Sequence, residues 1–123
     1  MMLLTKANRD ALPPLYSTED VPLDKKVAVV KFFTPFSNWT WYVVEGQPTE
    51  DGDYEFFGLV EGFEREWGPF MLSELQSVKG PLGLGIERDR HWKPGPVPTP
   101  WPERGQAAEV GGVDLTIVEA KDL

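Results

Sequence analysis

Carboxylates paired at positions i and i+2 are the most chemically suggestive feature of this chain: Asp51 with Asp53, Glu64 with Glu66, and Glu87 with Asp89. Such a pair could divide acid and base roles if one member sat in an apolar setting that raised its pKa. Glu66, beside Trp67, meets that condition best. On a strand, however, an i, i+2 pair points to one side at a spacing set by the pleat, as many solvated pairs do. No catalytic residue is assigned on this basis.

The other chemistries are poorly supplied. There is no cysteine, which removes disulfides, thiolate metal sites and Cys nucleophiles. His91 is the only histidine, so a transition metal would need it together with carboxylates such as Glu87 and Asp89. The plainer reading is a surface histidine next to Trp92, and neither a metal nor a cofactor is expected. The stretch GPLGLG (80–85) lacks the GK[ST] ending and the strand-then-helix context of a phosphate loop. Its Gly83 and Gly85 are expected to allow positive φ or a close backbone approach. Ser17, Ser37, Ser73 and Ser77 lack any nucleophile-elbow pattern that would recruit His91.

Charge narrows the partners. The 123-residue chain has a formal net charge of −8. All of that excess lies between residues 45 and 74, where Glu45, Glu50, Asp51, Asp53, Glu55, Glu61, Glu64, Glu66 and Glu74 face one base, Arg65. Such a segment repels phosphates and argues against general nucleic-acid binding. It forms a solvated face, a surface for a basic partner or an imitation of a nucleic acid, with Glu50, Asp51, Asp53 and Glu55 as its centre. The apolar start is confined to residues 1–4, too short for a signal peptide, and no window approaches the roughly 18 apolar residues of a membrane span. A cytoplasmic protein that does not contact membranes is expected, in which the Asn38-Trp39-Thr40 sequon stays unmodified.

The elements that must position these residues follow from local pattern. Thr5 can cap a helix over 6–12 that Pro13-Pro14 must end. VAVVKFF (27–33), WTWYVVE (39–45) and YEFFGLVE (54–61) are rich in β-branched and aromatic residues and read as strands. Their short links imply an antiparallel meander. FEREW (63–67) reads as a fourth short strand cut by Gly68-Pro69, and LSELQSV (72–78) as a short helix with Leu72, Leu75 and Val78 on one face. Ile86 opens a possible edge strand. From residue 94, repeated prolines predict an extended arm unable to join a central strand. VDLTIVEA (113–120) then alternates like a strand, docked in cis or offered to another chain.

The expected architecture is α+β: a small antiparallel meander of three to five strands with two short helices over residues 1–93. A Pro/Gly-rich arm (94–112) and a terminal strand or tail (113–123) follow. Alternation puts Trp39, Trp41 and Val43 on one face of the second strand and Tyr42 and Val44 on the other. The faces of the sheet are thus both apolar in the middle. The helices can cover one, leaving the other to aromatic side chains, to the tail or to a partner. Gly58 opposite a tryptophan would leave room for an indole. In an extended ERDR (87–90), Arg88 is expected to pair with a carboxylate of the acidic segment.

The motifs PPLYSTED (13–20), KFFTPFSNWTWY (31–42), GFEREWG (62–68) and GPLGLGIERD (80–89) together resemble the bacterial family known as domain of unknown function 2958. The resemblance covers residues 3–92 and implies a protein of plasmids, phages or other mobile elements, with no activity to carry over. Met71 departs from the pattern, in which Ser or Thr precedes LSEL. The usual N-cap side chain of that helix is therefore missing. Many members end soon after the ERD motif, so the tail is poorly covered.

The functional expectation is a non-catalytic accessory protein acting by protein–protein contacts through an acidic, aromatic-bordered surface. Candidate binding residues are Trp39, Trp41, Tyr42, Glu66, Trp67, Glu87, Arg88 and Asp89. The alternatives are a single-strand nucleic-acid module stacking bases on the sheet aromatics, or an enzyme built on Glu66 or the ERD carboxylates. Self-association through the C-terminal arm is the further partner expectation.

Overall fold

The computed structural model describes residues 2–98. Helix α1 (Lys6–Ala11) begins with a reciprocal cap: Thr5 Oγ1 accepts the Asn8 amide at 3.1 Å and Asn8 Oδ1 accepts the Thr5 amide at 2.9 Å. Strands β1 (Val27–Ala28), β2 (Val30–Phe33), β3 (Thr40–Pro48), β4 (Tyr54–Glu61) and β5 (Arg65–Met71) follow. Helix α2 (Leu72–Gln76), β6 (Glu87–Arg88) and β7 (Gly95–Pro96) complete the described chain. The main antiparallel sheet has the order β5-β4-β3-β2-β6, and β1 pairs with β7 beside it. The architecture is α+β, as the residue pattern predicts.

Strand β5 corrects the expectation that Gly68-Pro69 cuts the fourth strand. Pairing runs unbroken from Glu61↔Arg65 to Glu55↔Met71, through Gly58↔Gly68 and Phe57↔Pro69. The reason is position: β5 is the edge of the sheet, where a proline need not donate to a further neighbour. A second correction concerns Gly58, which faces Val43 and Gly68 rather than a tryptophan. A Cβ there would lie 1.9 Å from the Tyr42 carbonyl oxygen, so glycine is required by backbone approach. The glycine that makes room for an indole is Gly62, where a Cβ would lie 2.4 Å from the Trp39 ring.

Both faces of the sheet carry core. On the first, Val30, Phe32, Trp41, Val43, Phe56 and Phe70 pack with Leu72 and Leu75 of α2 and with Leu3, Leu4 and Leu12. Full burial of a side chain of this size contributes about 1.5–3 kcal/mol. On the second face, Ala28, Tyr42, Val44 and Leu59 pack against Val97, which is 1% exposed. The chain after β6 folds back to reach them. Asp89 pairs with Lys31 at 3.5 Å, Trp92 Nε1 donates to the Ala28 carbonyl at 2.9 Å, and the Trp92 and Tyr42 ring centroids are 5.6 Å apart. The first residues of the Pro-rich stretch therefore cover the middle of the second face. Residues 99–123, which hold the rest of the arm and the 113–120 strand expectation, lie outside the described residues.

Two further details differ from the sequence reading. Arg88 donates to the carbonyls of Met2 and Leu3, the latter at 3.1 Å, and so ties down the N-terminal segment. In the 80–85 stretch Gly83 takes the expected positive φ (76°), but so does the non-glycine Leu82 (58°), while a Cβ on Gly85 would lie 3.4 Å from the Val78 carbonyl oxygen.

Candidate binding groove

The site begins with an irregularity in β3. The register shifts between Val43 and Glu45: Val43 pairs with Gly58 and Glu45 with Phe57. One extra residue in a strand sends consecutive side chains to the same face. Val44 and Glu45 thus both lie on the second face, and Glu45 is buried there at 3% exposure.

Burial of a carboxylate requires partners, and the loop after α1 supplies them. Glu45 Oε1 accepts the Tyr16 amide at 2.8 Å; Oε2 accepts the Thr18 amide at 3.0 Å and the Thr18 hydroxyl. From the other side, Lys26, 5% exposed, donates its ammonium to the Thr18 hydroxyl at 2.9 Å and to the Thr18 carbonyl. Thr18 thus bridges a buried cation and a buried anion. Two more bonds fix the same loop to β3: Gly46 N to the Pro13 carbonyl (2.9 Å) and Leu15 N to Gln47 Oε1 (3.1 Å).

Held in this way, Tyr16 takes φ 69° and leaves its ring 71% exposed. A non-glycine residue in that region costs about 1–2 kcal/mol, here offset by the bonds on either side. Between this loop and the edge strand lies a groove of about 270 Å³. Tyr16, Leu23, Phe57 and Pro69 form its apolar surface, and Glu19 and Glu55 bring acid to it. Trp67 extends the aromatic border, stacked on Phe57 with centroids 5.8 Å apart and an interplanar angle of 23°.

The residues singled out in the sequence scatter around this groove. Trp67 and Glu55 adjoin or line it. Trp41 (8% exposed) and Tyr42 (6%) are core residues on opposite faces, with little ring surface free for a base. Trp39 is half-buried on the first face, 5.9 Å from Trp41 and edge-on to Phe63 at 5.4 Å. Glu66 is exposed on the edge strand, opposite Val60, and so lacks the apolar setting acid–base work needs. Glu87, Arg88 and Asp89 hold the far edge of the sheet, where Asp89 also accepts the His91 amide at 2.9 Å.

In the acidic segment, Glu50 and Asp51 are exposed, and Asp51 accepts the Thr49 hydroxyl. Asp53 accepts the Ser73 hydroxyl at 2.5 Å, the Tyr54 amide at 2.8 Å and the Ser73 amide at 3.0 Å. Those hydrogen bonds, that from the Ser73 hydroxyl first, hold its carboxyl below the ordinary value. Asp53 thus caps α2 from outside, replacing the side chain that Met71 lacks, while Glu74 accepts the Met71 amide at 2.9 Å.

Sequence reasoning missed Tyr16, Glu19, Leu23, Lys26 and Pro69 as a group, and missed Glu45 as a buried acid. The one local sign was an acid directly after the apolar run of WTWYVV. Among the described residues, no cluster of His, Asp or Glu is arranged to hold a metal, and no helix is long and apolar enough to cross a membrane.

The molecule is thus a small α+β protein with an apolar, acid-bordered groove on one face of its sheet. The chain belongs to the family described as Protein of unknown function (DUF2958), whose model matches residues 3–112. The match runs past residue 92 and takes in the Pro-rich stretch, which corrects the expectation that this stretch is poorly covered. No curated protein and no solved structure matches the chain.

Proposed function

We propose that this is a non-catalytic accessory protein that acts by protein–protein contacts, with the groove beside Tyr16 as its binding surface. The resemblance drawn from the motifs suggests the setting, a plasmid, phage or other mobile element. The observation that carries the reading is the construction of the groove. Its loop wall is pinned from beneath by a fully engaged Glu45–Thr18–Lys26 network, while Tyr16 is held in a costly conformation with its ring outside. Non-glycine residues kept in this backbone region cluster at ligand clamps and switch regions, and exposed tyrosines are frequent binding hot spots. At about 270 Å³ the groove lies at the small end of the roughly 300–1,000 Å³ of small-molecule sites. It suits an anchoring side chain of a protein partner.

A photo-crosslinking amino acid placed at Tyr16, with Leu82, also at positive φ and more exposed, as the control, tests the reading in cells that naturally carry the protein. A discrete protein adduct from position 16 that is absent from position 82 is expected. Adducts of equal yield at both positions, or none from 16, would overturn it.

A further inference from the structure

Resting on the reading of the groove as a protein-binding surface, we infer that its occupant is an extended segment of another protein in which an apolar side chain is flanked by lysine or arginine. The apolar part follows from the groove itself, where Tyr16, Leu23, Phe57 and Pro69 surround space for an anchor. The basic part follows from which charges are already engaged. Glu45 spends both oxygens on the 16–18 loop, and Lys26 donates to Thr18. The side chains of Glu19 and Glu55 make no hydrogen bond or ion pair to any other described residue. The charge open to a ligand is therefore negative from both sides: Glu19 on the loop, Glu55 on the sheet.

Other occupants fit less well. A second copy would bring the same net charge of −8. Residues 99–123 set Glu103, Glu109, Asp114, Glu119 and Asp122 against only Arg104 and Lys121. A nucleic acid would set phosphates against Glu19 and Glu55. An extended segment turns every second side chain the same way. With an anchor pointing in, residues two positions before and after it also point toward the groove. The pattern is basic–x–apolar–x–basic.

The test uses the full chain and short blocked peptides, followed by backbone-amide NMR. The peptide Lys-Ser-Phe-Ser-Lys should shift the amides of Tyr16, Glu55 and Phe57, with affinity that falls as salt is raised. Glu-Ser-Phe-Ser-Glu should bind about tenfold or more weakly, since opposite and like charges at two positions compound. Lys-Ser-Ser-Ser-Lys, which has no anchor, should leave those amides in place. A folded E19K/E55K variant should reverse the preference between the charged peptides. Equal binding of both phenylalanine peptides at the groove overturns the basic partner and leaves the groove reading standing. Shifts elsewhere, or none with any peptide, overturn both.

Discussion

The side chain of Glu45 accepts the backbone amide of Tyr16 at 2.8 Å, joining a β-bulge in the middle of the sheet to a loop residue at φ 69°. The bulge determines where the carboxylate goes, and the carboxylate determines where the tyrosine goes. Replacing Glu45 by alanine strands the amides of Tyr16 and Thr18 and removes the acid that the Thr18 hydroxyl links to the Lys26 ammonium. A loss of roughly 2–5 kcal/mol is expected, read as a shift in urea midpoint. Glu45→Gln should cost less, because its carbonyl can still accept one amide. Equal small losses of under about 1 kcal/mol would show that the network is not what fixes the loop.

Glycine positions offer a graded steric test. Gly58→Ala should be the most damaging, because its Cβ would meet the Tyr42 carbonyl oxygen at 1.9 Å and backbone must move. Gly62→Ala meets only the Trp39 ring, at 2.4 Å, and a half-buried indole can shift. Gly68→Ala meets nothing within 4 Å and should be near neutral or slightly stabilising. Thermal unfolding of the three variants should rank them in that order.

Asp53 makes α2 sensitive to acid. Its carboxyl is lowered in the folded state by the Ser73 hydroxyl and then by backbone amides. The stability it contributes is present above the unfolded value, about 3.9 for aspartate, and is lost as pH falls through the folded value. Asp53→Asn should flatten the acid limb of the stability profile measured by denaturant titration. An unchanged limb would separate Asp53 from the cap.

Tyr42 should give the opposite limb. Burial first, then the charge of Glu61, raises its phenol above the ordinary 10.0, partly countered by Arg65. The folded state therefore holds the neutral form. Its stability is complete below the unfolded value and declines as pH rises toward the folded one. In an ultraviolet titration Tyr42→Phe should remove a late-ionising phenol, and the variant should resist alkaline unfolding better. Tyr54, also raised by burial, serves as the comparison at the first face.

The return of the chain over the second face hangs on Trp92. Trp92→Phe keeps a ring beside Tyr42 but deletes the 2.9 Å bond to the Ala28 carbonyl. A loss of about 1 kcal/mol is expected, with faster hydrogen exchange at the β1–β7 pair. Trp92→Ala should cost more and free both strands. Unchanged exchange would mean that β7 is held by Val97 alone.

Local pattern found the middle of β2 to β5, because alternation of apolar side chains reports directly on a pleated sheet, but it read VAVVKFF as one strand where Val27–Ala28 and Val30–Phe33 belong to different sheets. It sorted Trp41 and Tyr42 to opposite faces, and both are core residues there. It also found the cap at Thr5 and the missing cap at Met71. What it could not supply was anything decided by a partner far away in sequence. Asp53 replaces the missing cap across 20 residues. Pro69 stays in a strand only because that strand is an edge. The groove needs a bulge at residues 43–45 to bury Glu45, a loop 27 to 29 residues earlier to bind it, and β5 to close the far wall. The sequence by itself determined the period of each strand and the sign of the charge between residues 45 and 74. Tertiary structure alone decided which acids are engaged and which are open, because that depends on distances between segments that no local periodicity encodes.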